Sequence, residues 1–180
     1  MHKTLKKLLF TSAVATLTLL NGCVSETKYN DLNAQYQQLQ GEFSADQAKI
    51  ELLEGELKIT LLDKVLFSEG GFTLNAPSKK ILSKLIPTLT GLQQTKIIVN
   101  GYTDNVPIGP RLKRQGITSN LVLSSILADV VDEFLTQQGV KQNLLSAQGF
   151  GESNPAASND TAEGKSQNRR IEVTLVGSGN

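Results

Sequence analysis

Cysteine, histidine and tryptophan are almost missing from this chain of 180 residues, which has one Cys, one His and no Trp. A single Cys rules out an intramolecular disulfide framework and any metal site built from several thiolates. Without Trp, aromatic contacts fall to three Tyr and six Phe. Net charge is also lacking: 18 Lys and Arg face 17 Asp and Glu, a formal +1. That balance gives no basis for a general nucleic-acid binder. Hydrophobic residues make up 39% and charged ones 19%, which suits a packed core and argues against wholesale disorder. The length corresponds to one domain and a smaller segment.

What is present begins at the N-terminus. His2, Lys3, Lys6 and Lys7 form a positive region, and Leu8 to Leu20 is an almost purely apolar or hydroxyl-bearing run. The run is too short to span a bilayer as a mature helix and reads as the core of a signal peptide. It stops at Leu20-Asn21-Gly22-Cys23, where the one Cys stands. This resembles a bacterial lipobox, in which the signal peptidase cuts before a Cys whose sulfur receives a diacylglycerol; Asn21 is atypical at its position. The plainer alternative is an ordinary secretory peptide with a stray Cys, and the position of Cys23 at the end of the apolar run speaks against it. The expectation is removal of residues 1–22 and lipidation of Cys23. Three acyl chains of the palmitate type would anchor firmly, since two lipid signals already suffice. Val24 follows the Cys, and the absence of an Asp there resembles outer-membrane sorting, with the protein facing the periplasm.

Removing that segment takes away His2 and three Lys, leaving 15 basic and 17 acidic side chains and no His. His-dependent acid–base and nucleophilic catalysis is then excluded, as are His/Cys zinc sites. Carboxylate-only hydrolysis remains, but no motif pairs Glu69, Glu152 and Glu163. The chain therefore reads as a non-enzyme with no cofactor and no metal.

From Tyr29 to Leu57 a heptad can be laid down. Tyr29, Tyr36, Phe43, Ile50 and Leu57 form one core set; Leu32, Leu39, Asp46, Leu53 and Thr60 form the other. The 3-4 spacing is that of a coiled-coil seam, interrupted by Asp46 and weakened by Gly41 and Gly55. Residues 23–59 are expected to be helical. Two readings stay open: an oligomerising coiled-coil stalk, or a lone amphipathic helix lying on the next domain.

From Ile59 the pattern changes to short strands and helices. Ile59 to Phe67 reads as a strand, and Ala76-Pro77-Ser78 opens a helix kinked at Pro87. Lys96 to Gly101 is a β-branched, buried strand. Tyr102 to Ser119 is a long loop, and Leu121 to Gln138 is a helix stopped by Gly139. Leu144 to Phe150 is a strand, Gly151 to Gln167 a polar loop with room for one helical turn, and Arg170 to Val176 a final alternating strand. The order β-α-β-α-β-β predicts an α/β two-layer sandwich with a mixed sheet over residues 60–176, followed by a 177–180 tail.

Five stretches carry a family resemblance: Leu66 to Leu74, Val99 to Asn105, Asn120 to Ser124, Gln148 to Glu152 and Asn168 to Glu172. In order and spacing they are similar to the OmpA/MotB/Pal-type C-terminal domain, from about Thr60 to Val176. Asn105-Val106-Pro107-Ile108 and the loop after it look most like the MotB-type branch. With Cys23, the resemblance implies a Pal-like outer-membrane lipoprotein. Such domains hold peptidoglycan noncovalently, chiefly through the diaminopimelate of its stem peptide.

Diaminopimelate in peptidoglycan exposes an ammonium and a carboxylate, so its pocket needs an anion and a cation. Asp104 matches the Asp of the family's Thr-Asp motif, Thr103-Asp104, and is expected to take the ammonium; its plainer role is an Asx turn. Asn120 and Leu123 match pocket-lining positions, and Asn120 is equally a candidate helix N-cap. Arg169 matches a basic position beside the pocket, with a structural salt bridge as the alternative.

One departure matters. The family pattern Asn-x-x-Leu-Ser-x-x-Arg-Ala stands here as Asn120-Leu-Val-Leu-Ser-Ser-Ile-Leu127-Ala128. Leu127 replaces the Arg that takes the diaminopimelate carboxylate, on a helix face expected to border solvent. Losing that bond should weaken binding by roughly 10- to 100-fold. Compensating cations are Arg169, or Arg111, Lys113 and Arg114, whose plainer reading is a solvated loop. Two function classes follow: an outer-membrane tether to peptidoglycan, or a protein-interaction scaffold of a secretion or motility machine with a degenerate pocket.

Overall fold

The computed structural model describes residues 26–68 and 70–177. Residues 1–25, with the expected signal peptide and Cys23, lie outside the described residues, as do Glu69, residues 178–180 and the side chain of Tyr29. Among the described residues no helix is long and apolar enough to cross a membrane.

Helix α1 (Glu26–Glu42) is followed by strand β1 (Lys49–Leu53) and strand β2 (Glu56–Leu62). The heptad therefore does not run to Leu57 as one helix. Ile50 and Leu53 lie in β1 and Leu57 in β2, joined as an antiparallel hairpin with Leu53 opposite Glu56. Gly55, at φ +76°, makes the turn, a conformation that glycine adopts without Cβ strain. The expected boundary near Thr60 falls inside β2. Leu32 and Leu39, seven positions apart in α1, are 3% and 0% exposed in the core of the domain. Burying each contributes about 1.5–3 kcal/mol, which is what holds a short polar helix in place. Lys84 closes its C-terminus: Nζ donates to Glu42 O at 2.6 Å and to Gln47 Oε1 at 2.7 Å, 5.2 Å above the Phe43 ring. In the single chain α1 lies on the domain, with Leu32 and Leu39 in its core.

Beyond β2 the chain makes a short helix, α2 (Asp63–Leu66), where a continuing strand was expected. The ladder ends because Leu62 faces Arg170, the first residue of the neighbouring strand. Helix α3 (Ala76–Leu82) is capped by Asn75, whose Oδ1 accepts from Ser78 N at 2.9 Å. A 3-10 turn at Ser83–Leu85 and helix α4 (Ile86–Thr90) absorb the break at Pro87. Strand β3 (Lys96–Tyr102) leads into a loop holding helix α5 (Pro110–Arg114), then helix α6 (Asn120–Gln137). Ser119 caps α6, accepting from Val122 N at 3.2 Å, so Asn120 is not the cap. Strand β4 (Leu145–Gly149), helix α7 (Ala162–Asn168) and strand β5 (Arg170–Val176) complete the chain.

The sheet order is β1-β2-β5-β3-β4, with β3 and β4 parallel and the other neighbours antiparallel. This is the expected mixed-sheet sandwich, extended by α1 and β1. Leu57, Ile59, Leu61, Ile97, Val99, Ile171, Val173 and Leu175 form one buried face, and they share their core with the buried side of α6. Two glycines let α6 sit directly on the sheet. A Cβ on Gly101 would lie 2.2 Å from Ser124 O, and one on Gly149 would lie 2.3 Å from Ser125 N. That close seating places the first turns of α6 beside the end of β3.

Candidate ligand-binding site

The strand ends are drawn together where β3 runs out. Phe150 N donates to Gly101 O at 2.9 Å and Thr103 N to Gly151 O at 2.8 Å. Ser124 Oγ accepts from Gly151 N at 2.8 Å, tying the loop after β4 to α6. Above this junction lies a cleft of about 880 Å³, with Thr103, Asp104, Asn120, Leu123, Leu127 and Arg169 all in its lining. The six residues singled out in the sequence thus come from three separate segments to one place.

Asp104 is 6% exposed. Its Oδ1 accepts from Val106 N at 3.0 Å, and its Oδ2 from Arg169 Nη1 at 2.6 Å. It therefore fills the Asx-turn role and an ion pair at once. Arg169 Nε lies 3.2 Å from Asp63 Oδ2, so the guanidinium bridges two carboxylates. Burial pushes the Asp63 carboxyl above its ordinary value, and Arg169 only partly pulls it back. For Arg169, burial works against the charged form, but the hydrogen bond to Asp104 and the charge of Asp63 outweigh it and raise its pKa. Asp104 is the stronger partner of the two, as its shorter contact shows.

Asn120 acts as a clamp. Its Nδ2 donates to Asp104 O at 3.3 Å, Val106 O at 3.2 Å and Glu152 Oε2 at 2.7 Å. Those bonds fix the loop that carries Asp104. Thr103 is buried, and its hydroxyl has no partner among the described residues. Leu127 corrects an expectation. It is 6% exposed and belongs to the core, not to a solvent-bordering face. With the half-buried Leu123 it makes the α6 wall of the cleft apolar. Ile108, Leu112 and Phe67 extend that character.

Of the basic cluster, Arg111, Lys113 and Arg114 are all exposed on α5. Arg111 alone is placed beside the cleft mouth: a Cβ on Gly70 would lie 3.8 Å from its Nη1. Sequence reasoning missed Asp63, which it placed inside a strand. The available signal was a carboxylate interrupting the apolar run Leu61-Leu62-Asp63-Lys64-Val65-Leu66. Among the described residues no group of His, Cys, Asp and Glu could hold a metal.

Residues 66–169 match the OmpA family model. The chain is 37% identical over 117 residues to the Escherichia coli (strain K12) protein named "Probable lipoprotein YiaD", covering 65% of this chain and 50% of that one. It is 32% identical over 111 residues to the peptidoglycan-binding protein ArfA of Mycobacterium tuberculosis, covering 62% of this chain and 32% of ArfA. The chain thus spans half or less of the length of these relatives. In structure it is similar to a MotB-like protein from Desulfovibrio vulgaris, with a TM-score of 0.77 at 22% identity over 85% of this chain and 96% of that one. That likeness is one of fold.

Proposed function

The chain belongs to the OmpA family, and from that premise we propose that its cleft binds peptidoglycan noncovalently, in a protein held to the outer membrane through lipid on Cys23. The observation that carries this reading is Asp104, a nearly buried carboxylate lining an open cleft and held in place by Val106 N and Arg169. A stem-peptide ammonium donating to Asp104 would meet an acceptor already positioned, so little ordering entropy is lost on binding. Arg169 is the cation beside it, and the Asn120 clamp keeps the loop from relaxing when ligand leaves. The name of ArfA supports the ligand class, and that of YiaD supports the lipid anchor. Nothing in this account requires catalysis. The protein works as a tether from envelope to wall.

Leu127 favours a second reading, a scaffold with a lapsed pocket, because this side chain offers a ligand carboxylate no donor where the resembled pattern has an Arg. Co-sedimentation of the full chain, in detergent, with purified sacculi separates the two. Retention that is lost in Asp104→Ala supports the tether. Absence of wild-type retention leaves the scaffold.

A further inference from the structure

A second groove, of about 520 Å³, adjoins the cleft, and Pro107, Ile108 and Asn120 line both. Asn120 ties the two together. Its Nδ2 donates to Asp104 O and Val106 O on the cleft loop and to Glu152 Oε2, which belongs to the groove.

Beyond that shared sill the groove has its own chemistry. Its one cation is Lys113, exposed on α5 and without an ion-pair partner among the described residues. Its one anion, Glu152, already accepts from Asn120 at 2.7 Å. Ser119 Oγ accepts from Val122 N at 3.2 Å and keeps its own O–H proton to donate, and Thr118 adds a second exposed hydroxyl. Leu121, 56% exposed, supplies an apolar edge. With Val106 and Val122 it makes three of the four exposed large hydrophobics among the described residues, so the rim of cleft and groove is where the chain leaves apolar surface uncovered. Lys113 also has a fixed base. Ile108 and Ile117, before and after α5, are 8% and 2% exposed, and Ile117 N donates back to Leu112 O at 3.0 Å.

An ammonium, two hydroxyl donors and an apolar edge suit a carboxylate carried on a short uncharged chain. A stem peptide whose third residue reaches Asp104 has such a group one residue away. Its second residue is D-Glu joined through the γ-carboxyl, so the α-carboxyl takes no part in the peptide bond. Cross-linking or trimming beyond the third residue leaves that group untouched. We propose that the groove is the subsite for the second stem residue, where Lys113 pairs with the α-carboxylate of γ-D-glutamate and distinguishes it from the amidated form. This rests on the reading that the cleft holds peptidoglycan.

The test is calorimetric titration of the full chain in detergent as wild type, Lys113→Gln and Arg114→Gln. Two soluble peptides are used, L-Ala-γ-D-Glu-meso-diaminopimelate and the same peptide with the glutamyl α-carboxylate converted to its carboxamide. Wild type should bind the carboxylate peptide about two- to five-fold more tightly, the effect of one exposed ion pair. The margin should shrink at about 1 M salt, where the screening length falls to about 3 Å. Lys113→Gln, an exposed substitution with little effect on folding, should bind both peptides equally. Arg114→Gln, on the same helix but outside the lining of the groove, should keep the preference. No preference in wild type, a preference that survives Lys113→Gln, or one lost equally in Arg114→Gln overturns the subsite and leaves the peptidoglycan reading standing. Failure of wild type to bind either peptide overturns both.

Discussion

Removing Arg169 tests the electrostatics of the cleft without any ligand. Arg169→Ala deletes two contacts at once, Nη1 to Asp104 at 2.6 Å and Nε to Asp63 at 3.2 Å. A hydrogen bond to a charged group contributes about 1.5–3 kcal/mol. The Arg169 side chain is 37% exposed, so the Asp104 contact belongs at the lower end of that range. The Asp63 contact joins side chains 37% and 30% exposed and falls with surface pairs, at about 0–1 kcal/mol. The expected loss is about 1.5–2.5 kcal/mol at pH 7. Its pH dependence has a definite sign. Asp63 has a raised pKa in the folded chain, so its ionisation opposes folding. Without Arg169 that opposition grows, and protonation relieves it. The gap between wild type and variant should therefore shrink as pH falls from 7 toward the ordinary carboxylate value of about 4. Urea denaturation of both proteins at pH 7 and pH 4.5 measures it. A gap under about 0.5 kcal/mol at pH 7, or one that widens at pH 4.5, would refute the bridge as an energetic unit.

Gly101→Ala should cost about 1–3 kcal/mol or more in the same assay, because its Cβ would stand 2.2 Å from the Ser124 carbonyl and backbone must move. Leu127→Ala should lose about 2–5 kcal/mol, the range for truncating a buried Leu, since Leu127 is 6% exposed; an unchanged midpoint would contradict its place in the core. Cys23→Ser should yield an uncleaved precursor without lipid, and a normal mature mass with normal membrane fractionation would reject the anchor.

The strands from Lys96 onward and helix α6 were legible because each carries its own period: β-branched alternation in β5, and helical spacing from Leu123 to Leu135 in α6. The hairpin of β1 and β2 was not. Ile50, Leu53 and Leu57 satisfy a heptad as well as they satisfy two short strands, and only pairing with β5 decides between them. Local spacing contains no record of that partner. The six cleft residues were readable as motif matches. What they do to one another was not. Arg169 is bonded to Asp104, and Asp63 joins from the start of α2, distant in sequence. Asn120 turned from helix cap to loop clamp because Ser119, one residue earlier, has the hydroxyl that reaches Val122 N.

The central claim is that a cell-wall stem peptide sits against Asp104, and amide chemical-shift mapping tests it most directly. The full chain in detergent would be titrated with the soluble stem tripeptide L-Ala-γ-D-Glu-meso-diaminopimelate. The account predicts that the largest shifts cluster at Thr103 to Val106 and Asn120 to Leu123 in the wild type, and vanish in Asp104→Ala. Shifts confined to the opposite face of the sheet around Lys58 and Glu172, or shifts at the cleft that survive Asp104→Ala, would contradict it.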